Sequence, residues 1–318
     1  MLRLPDHWVW DSWLALDGDV HHLFFLRASR ALIDPARRHD RASVGHATSR
    51  DLRRWELQPD ALVHADSPAW DDMAIWTGSV VRGPAGEWRL FYTGRRRAER
   101  GAVQRIGAAV SEDLATWTRV DDRPLVEADP RWYEKLDLDR WPEEAWRDPY
   151  VVRDPDGDGW HMLITARAAD GDPAGRGVIG HARSADLVEW EVQAPLTAPC
   201  GFRHLEVPRV AEIDGRAVLM FCCGADRLAD GRRSEGGVWV APGASLLGPW
   251  DLQRAATLAH PSLYAPNFAQ SAPGRWCVLG FRDVEDAGFV GEIADPLALE
   301  AHGDTVRLVE SDGRRSTG

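Results

Sequence analysis

The chain has 318 residues, a net charge of −12 and 16 tryptophans, with arginine far outnumbering lysine. Its one basic run, Arg95-Arg96-Arg97, is too short for the cationic stripe that a nucleic-acid partner requires. No apolar stretch approaches the roughly 18 residues of a membrane span, and 44% apolar content is enough to bury a large core.

Residues 1–7 contain no apolar run of signal-peptide length. Cys200, Cys222, Cys223 and Cys277 have no metal-ligand spacing. Both readings lead to the expectation of a cytoplasmic protein with reduced thiols.

The first predicted strand covers residues 8–16, and the turn Asp17-Gly18 leads to an apolar second strand at 22–26. Then comes the phrase Val44-Gly45-His46-Ala47-Thr48-Ser49-Arg50-Asp51-Leu52, closed by Trp55. The same order returns with strands at 75–82 and 88–92, and the phrase from Ile106 to Trp117. It returns again with strands at 146–153 and 160–164, and the phrase from Ile179 to Trp190. A weaker copy has strands at 205–213 and 217–221 and runs from Val238 to Trp250. The last copy has strands at 264–271 and 276–280, a third at 288–299 and a fourth at 305–309; the tail after Val309 is expected to fray. The closing tryptophans recur about every 60–70 residues, the size of a propeller blade with long loops.

Four antiparallel strands in each of five copies predict an all-β, five-bladed β-propeller. The expected blades are 8–58, 73–121, 145–194, 203–253 and 262–309 of a single domain spanning 1–318, with no C-terminal β-sandwich. The Ser-x-Asp-Leu step is expected to turn the chain through side-chain bonds to backbone, and the tryptophan to pack between blades. Residues 154–159, although rich in aspartate, are read as a hairpin turn rather than a calcium loop. The segment 127–144 is read as an insertion between blades two and three. His7, His21, His22 and His204 sit at strand ends without paired spacing, so no metal site is expected.

In a propeller the first strands line a central channel. Three of them carry an acid in an apolar setting: Asp11, Asp148 and Glu206. Buried acids are costly unless something uses or pairs them. Pairing with arginines such as Arg147 or Arg209 is one explanation. The other is glycoside cleavage by a nucleophile and an acid/base, with the third acid holding sugar hydroxyls.

The motifs resemble those of glycoside hydrolase families 68 and 32, the levansucrases and invertases. Trp8-Val9-Trp10-Asp11-Ser12-Trp13 is similar to the nucleophile strand of family 68. Trp76-Thr77-Gly78-Ser79 is similar to a sugar-binding motif of both families. Arg147-Asp148-Pro149 matches their Arg-Asp-Pro motif, Glu206-Val207-Pro208 resembles the acid/base strand, and Tyr264-Ala265-Pro266-Asn267 a late family 32 segment. The resemblance implies Asp11 as nucleophile, Asp148 as transition-state stabiliser and Glu206 as general acid/base. It implies substrate contacts from Trp10, Trp13, Trp76, Ser79, Arg147, His204 and Tyr264, and no cofactor. His204 stands where levansucrases place a carboxylate.

The implied reaction is retaining hydrolysis of a small β-fructofuranoside such as sucrose. Transfer to a sugar acceptor, with Trp132, Tyr133 and Trp141 as candidate acceptor contacts, is the alternative within enzymes, beside arabinofuranoside cleavage. A non-catalytic sugar-binding propeller is the alternative of another class. The oligomeric state is not legible.

Overall fold

In a computed structural model, residues 1–229, 236–258, 260–272, 274–286 and 288–309 are described. The tail after Val309 and Pro273 of the last hairpin lie outside them. The chain forms five sheets of antiparallel strands in sequence order. Blade 1 holds strands His7–Asp17, Val20–Ser29, Ser43–Ser49 and Glu56–Leu62. Blade 2 runs from Ala74–Arg82 to Thr118–Arg119, and blade 3 from Trp146–Arg153 to Glu191–Gln193. Blade 4 runs from Glu206–Ile213 to Ala256–Thr257, and blade 5 from Leu263–Ala272 to Thr305–Leu308.

Two strand expectations are corrected. The fourth strand of blade 4 lies beyond Trp250, which makes only an isolated bridge to Gly243. The third strand of blade 5 is split into Gly288–Ile293 and Leu297–His302, both pairing with Arg275–Glu285. Pro296 falls in the gap, where its missing N–H would break a continuous ladder. Leu2 pairs with Ile293 through two backbone bonds of 3.0 Å, so the N-terminus joins blade 5 and ties the ring shut.

The repeated phrase is a structural device. In its Ser-x-Asp-Leu step, Asp51 Oδ1 accepts the backbone N–H groups of Arg53 (2.9 Å) and Arg54 (2.7 Å). Asp113 and Asp186 do the same in blades 2 and 3. The following Leu52, Leu114 and Leu187 adopt left-handed φ values of 60°, 61° and 66° and point into the core. Burial of the leucine and the aspartate cap together offset that backbone cost. The phrase glycine makes room for a ring: a Cβ on Gly45 would sit 2.4 Å from Phe25, and one on Gly107 2.4 Å from Trp70. The closing tryptophans join blades. Trp117 meets Phe24 of blade 1 edge-on at 5.7 Å, and Trp190 meets Phe91 of blade 2 at 5.4 Å. Trp55 packs against the cluster holding Ala269 and Cys277 of blade 5.

His46 and His181 occupy the same place in the phrase, and each stacks on a histidine of the neighbouring strand. His22 Nδ1 lies 3.0 Å from His46 Nε2, and His161 Nδ1 lies 2.8 Å from His181 Nε2. Burial, then the partner imidazole, pushes both His46 and His181 down from 6.5 to about 4. The unfolded chain therefore takes up protons below pH 6.5 that the fold refuses until about pH 4. Stability is expected to fall as pH drops through that window, by roughly 3 kcal/mol for each of His46 and His181. Thermal melts from pH 7 to pH 4 check this. His181→Leu is expected to flatten the decline, and a slope unchanged by it would sink the idea.

Candidate active site

The five inner strands carry one local pattern at the channel mouth. Read in register, it is Trp10-Asp11-Ser12-Trp13, Trp76-Thr77-Gly78-Ser79, Arg147-Asp148-Pro149-Tyr150, Glu206-Val207-Pro208-Arg209 and Tyr264-Ala265-Pro266-Asn267. In each blade the pairing with the second strand slips at this point, as a β-bulge does. Asp11, Asp148, Val207 and Ala265 have φ of 30°, 57°, 50° and 41°. Such left-handed backbone in non-glycine residues is strained and needs support from its surroundings. Proline follows in three blades, where the bulge already leaves no N–H to pair. The bulge presents two successive residues, not alternate ones, to the same space.

That space is a cavity of about 480 Å³ lined by Trp10, Asp11, Trp76, Arg147, Asp148, Glu206 and Tyr264, together with side chains brought in by loops. Its size lies in the range of small-molecule sites. The Asp11 carboxylate accepts the Thr77 hydroxyl at 2.5 Å. Burial, then the charge of Asp148, pushes Asp11 up to about 7. Asp148 Oδ2 accepts the Thr165 hydroxyl at 2.8 Å and the Val207 N–H at 3.2 Å, and burial also raises Asp148. Glu206 Oε1 accepts Arg147 at 2.8 Å and Arg227 at 2.5 Å, while Oε2 accepts the Tyr264 hydroxyl at 2.7 Å. Burial pushes Glu206 up, but Arg227, Arg147, His204 and Tyr264 outweigh it and hold the group at about 2.

Three expected substrate contacts lie outside the cavity lining. Trp13 is 1% exposed and stacks on Phe24 in the core. Ser79 is buried and accepts the Val151 N–H at 3.2 Å. Both are the fourth residue of the inner-strand pattern, past the bulge. His204 is 1% exposed and sits behind Glu143, 3.3 Å from its carboxylate. The insertion also differs from expectation. Tyr133 is buried, donating to Gln193 O and accepting the His181 N–H. Trp132 packs under Arg131, and Trp141 lies against Arg167, with the guanidinium 3.8 Å from its ring centre.

The insertion instead delivers Glu143, which lines the cavity and binds Gln104 (2.7 Å) and Arg147 (3.2 Å). Sequence reasoning missed it, along with Arg38, His39, Arg95, Arg227 and Asp283, all cavity residues. It also missed Thr77, although alignment of the inner strands puts Thr77 level with Asp11 and Asp148. Arg38 lies over Phe289 and Trp10 and leaves its Nε without a protein partner. Among the described residues no group of three or more His, Cys, Asp or Glu side chains is arranged to hold a metal ion.

A five-bladed propeller with three carboxylates converging on one cavity defines the class: a glycoside hydrolase scaffold with the acids on its inner strands. The chain belongs to glycosyl hydrolases family 32, whose N-terminal domain model matches residues 12–287. It is 31% identical over 139 residues to a levanase of Bacillus sp. (strain L7), covering 40% of this chain and 14% of that protein. It is 30% identical over 189 residues to a sucrose-6-phosphate hydrolase of Zymomonas mobilis, covering 56% of this chain and 34% of that protein. These matches span about a third or less of the two relatives' own lengths. The inulosucrase from Halalkalicoccus jeotgali, solved bound to kestose, superimposes with a TM-score of 0.78 at 23% identity, covering 97% of this chain and 90% of that one.

Proposed function

We propose that this protein cleaves a small β-fructofuranoside such as sucrose with retention of configuration, through a covalent fructosyl-enzyme. The observation that carries this reading is the convergence of Asp11, Asp148 and Glu206, from blades 1, 3 and 4, on one cavity. In the first step an Asp11 oxygen attacks the anomeric carbon as the bond to the leaving sugar breaks. Glu206 gives that sugar's oxygen its proton. In the second step Glu206 takes a proton from water, which attacks the anomeric carbon and releases Asp11. Asp148, anchored by Thr165 and Val207, accepts hydrogen bonds from ring hydroxyls and faces the positive charge of the transition state.

The resting charges run the other way: Asp11 is pushed up and Glu206 held down. Substrate reverses them in this reading. The Arg227 side chain is 43% exposed and grips Glu206 from the cavity wall. A leaving sugar seated there displaces Arg227, and the desolvated Glu206 then takes a proton. The same reading puts the protein in the cytoplasm, supported by the buried thiols Cys222, Cys223 and Cys277.

Purified protein is expected to release glucose and fructose from sucrose in equal amounts, each measured separately. Excess glucose would mean that the fructosyl group passes to a sugar acceptor. No release from sucrose or any other fructoside would overturn the reading and move the search to arabinofuranosides.

A further inference from the structure

Beneath the cavity lies a buried cation that the reaction above does not use. Arg209 is three residues beyond Glu206 on the inner strand of blade 4 and is 1% exposed. Its Nε donates to Asn267 Oδ1 of blade 5 at 2.9 Å. Its terminal nitrogens donate to Pro208 O at 3.0 Å and to Gly78 O of blade 2 at 3.3 Å. The guanidinium carbon lies 4.8 Å from the ring centre of Tyr150 in blade 3. Asn267 passes the network on, its Nδ2 donating to Ser12 O (2.8 Å) and Ser12 Oγ (3.2 Å) of blade 1. One hub therefore touches all five inner strands.

Every acceptor of this guanidinium is neutral, and among the described residues it forms no ion pair. A buried charge without a counter-ion is expensive, so its retention needs a reason. The negative groups whose field reaches it are Asp148 and Asp11, with Tyr150 and Cys222 as the other titratable neighbours. Asp11 in turn faces Asp148 of blade 3, Glu206 of blade 4, Arg38 from the loop of blade 1 and the Thr77 hydroxyl of blade 2. Asp283 of blade 5 faces Arg38 and Glu206. The hub grips Ser12 and Gly78, the chain neighbours of Asp11 and of the Thr77 that donates to it.

We propose that Arg209 is a positioning residue for the nucleophile, fixing the Asp11 and Thr77 strands from below and placing beneath Asp11 a positive charge that favours the attacking carboxylate over the acid. It rests on Asp11 being the nucleophile. The two acids that face Asp11 both oppose its ionisation, and Arg209 and Arg38 are the cations set against them.

The test is an NMR titration of the Asp11 carboxyl carbon, assigned by its loss in Asp11→Asn. It needs no substrate. In Arg209→Met the midpoint is expected to rise by about one pH unit, and in Arg209→Lys to return toward the parent value. Where Arg209→Met does not fold, Arg209→Gln, which keeps two donors and removes the charge, gives the same readout. A midpoint unmoved by loss of the charge, or moved equally by lysine, overturns the proposal. Activity surviving in Asp11→Asn would instead remove the reading of Asp11 as nucleophile and leave the titration result standing.

Discussion

Asp11→Asn is expected to lower kcat/KM on the cleaved fructoside by about 10⁴-fold or more, the loss that removal of a covalent nucleophile produces. Asparagine has the same shape and still accepts the Thr77 hydroxyl, so the cavity should keep its form. What it lacks is the carboxylate oxygen that attacks. The same substitution is expected to raise stability at neutral pH. Asp11 ionises near 3.8 in the unfolded chain and near 7 in the fold. The unfolded chain therefore gives up a proton that the native state retains between those values, and stability falls as pH rises from 3.8 to about 7. Asparagine has no proton to lose, which leaves a few kcal/mol in favour of the variant at pH 7 and above. Melting curves of both proteins at pH 5 and pH 8 test the sign. A dead variant that is also less stable at pH 8 would point to damage rather than to a lost nucleophile. A variant with near-parent activity would remove Asp11 from the chemistry.

The blades were legible because the chain repeats itself. In the three close copies of the phrase, in blades 1 to 3, the glycine makes room for a ring, the aspartate closes a turn and the tryptophan touches another blade. The three acids were legible because a carboxylate in an apolar strand is costly and stands out. Trp13 and Ser79 were misplaced for a reason the pattern hides. The bulge turns two successive residues toward the cavity, so distance from the acid along the strand no longer reports facing. Glu143, Arg38 and Arg227 were not legible at all. Glu143 comes from the insertion between blades, Arg38 and Arg227 from short 3₁₀ turns after a second strand. No periodicity marks such segments, and only the closed ring decides that they meet. The role of Arg209 was half visible: an arginine near the acids suggested pairing, but the structure gives it neutral acceptors and a place below them.

Glu206→Gln carries the second large effect, and its size should depend on the leaving group. With sucrose, whose departing sugar needs a proton, loss of the acid is expected to cost about 10²–10⁴-fold in kcat. With a nitrophenyl fructoside, which leaves as a stable anion, the cost of the first step should shrink to less than about tenfold, and release of the fructosyl-enzyme by water becomes limiting. A burst of nitrophenol ahead of fructose would expose that change of step. The partners of Glu206 sharpen the argument. Glutamine keeps an oxygen for Arg147 or Arg227 but cannot take the proton that displacement of Arg227 hands to the native side chain. Removing Arg227 instead, as Arg227→Gln, leaves Arg147 as the one guanidinium on that oxygen among the described residues. Glu206 should then rise from about 2 toward the ordinary carboxylate range. The limb of the kcat/KM profile that follows Glu206 in the free enzyme should move up in pH with it. Equal losses on both substrates in Glu206→Gln would take the acid role away from Glu206. An unchanged profile in Arg227→Gln would mean that Arg227 does not govern it.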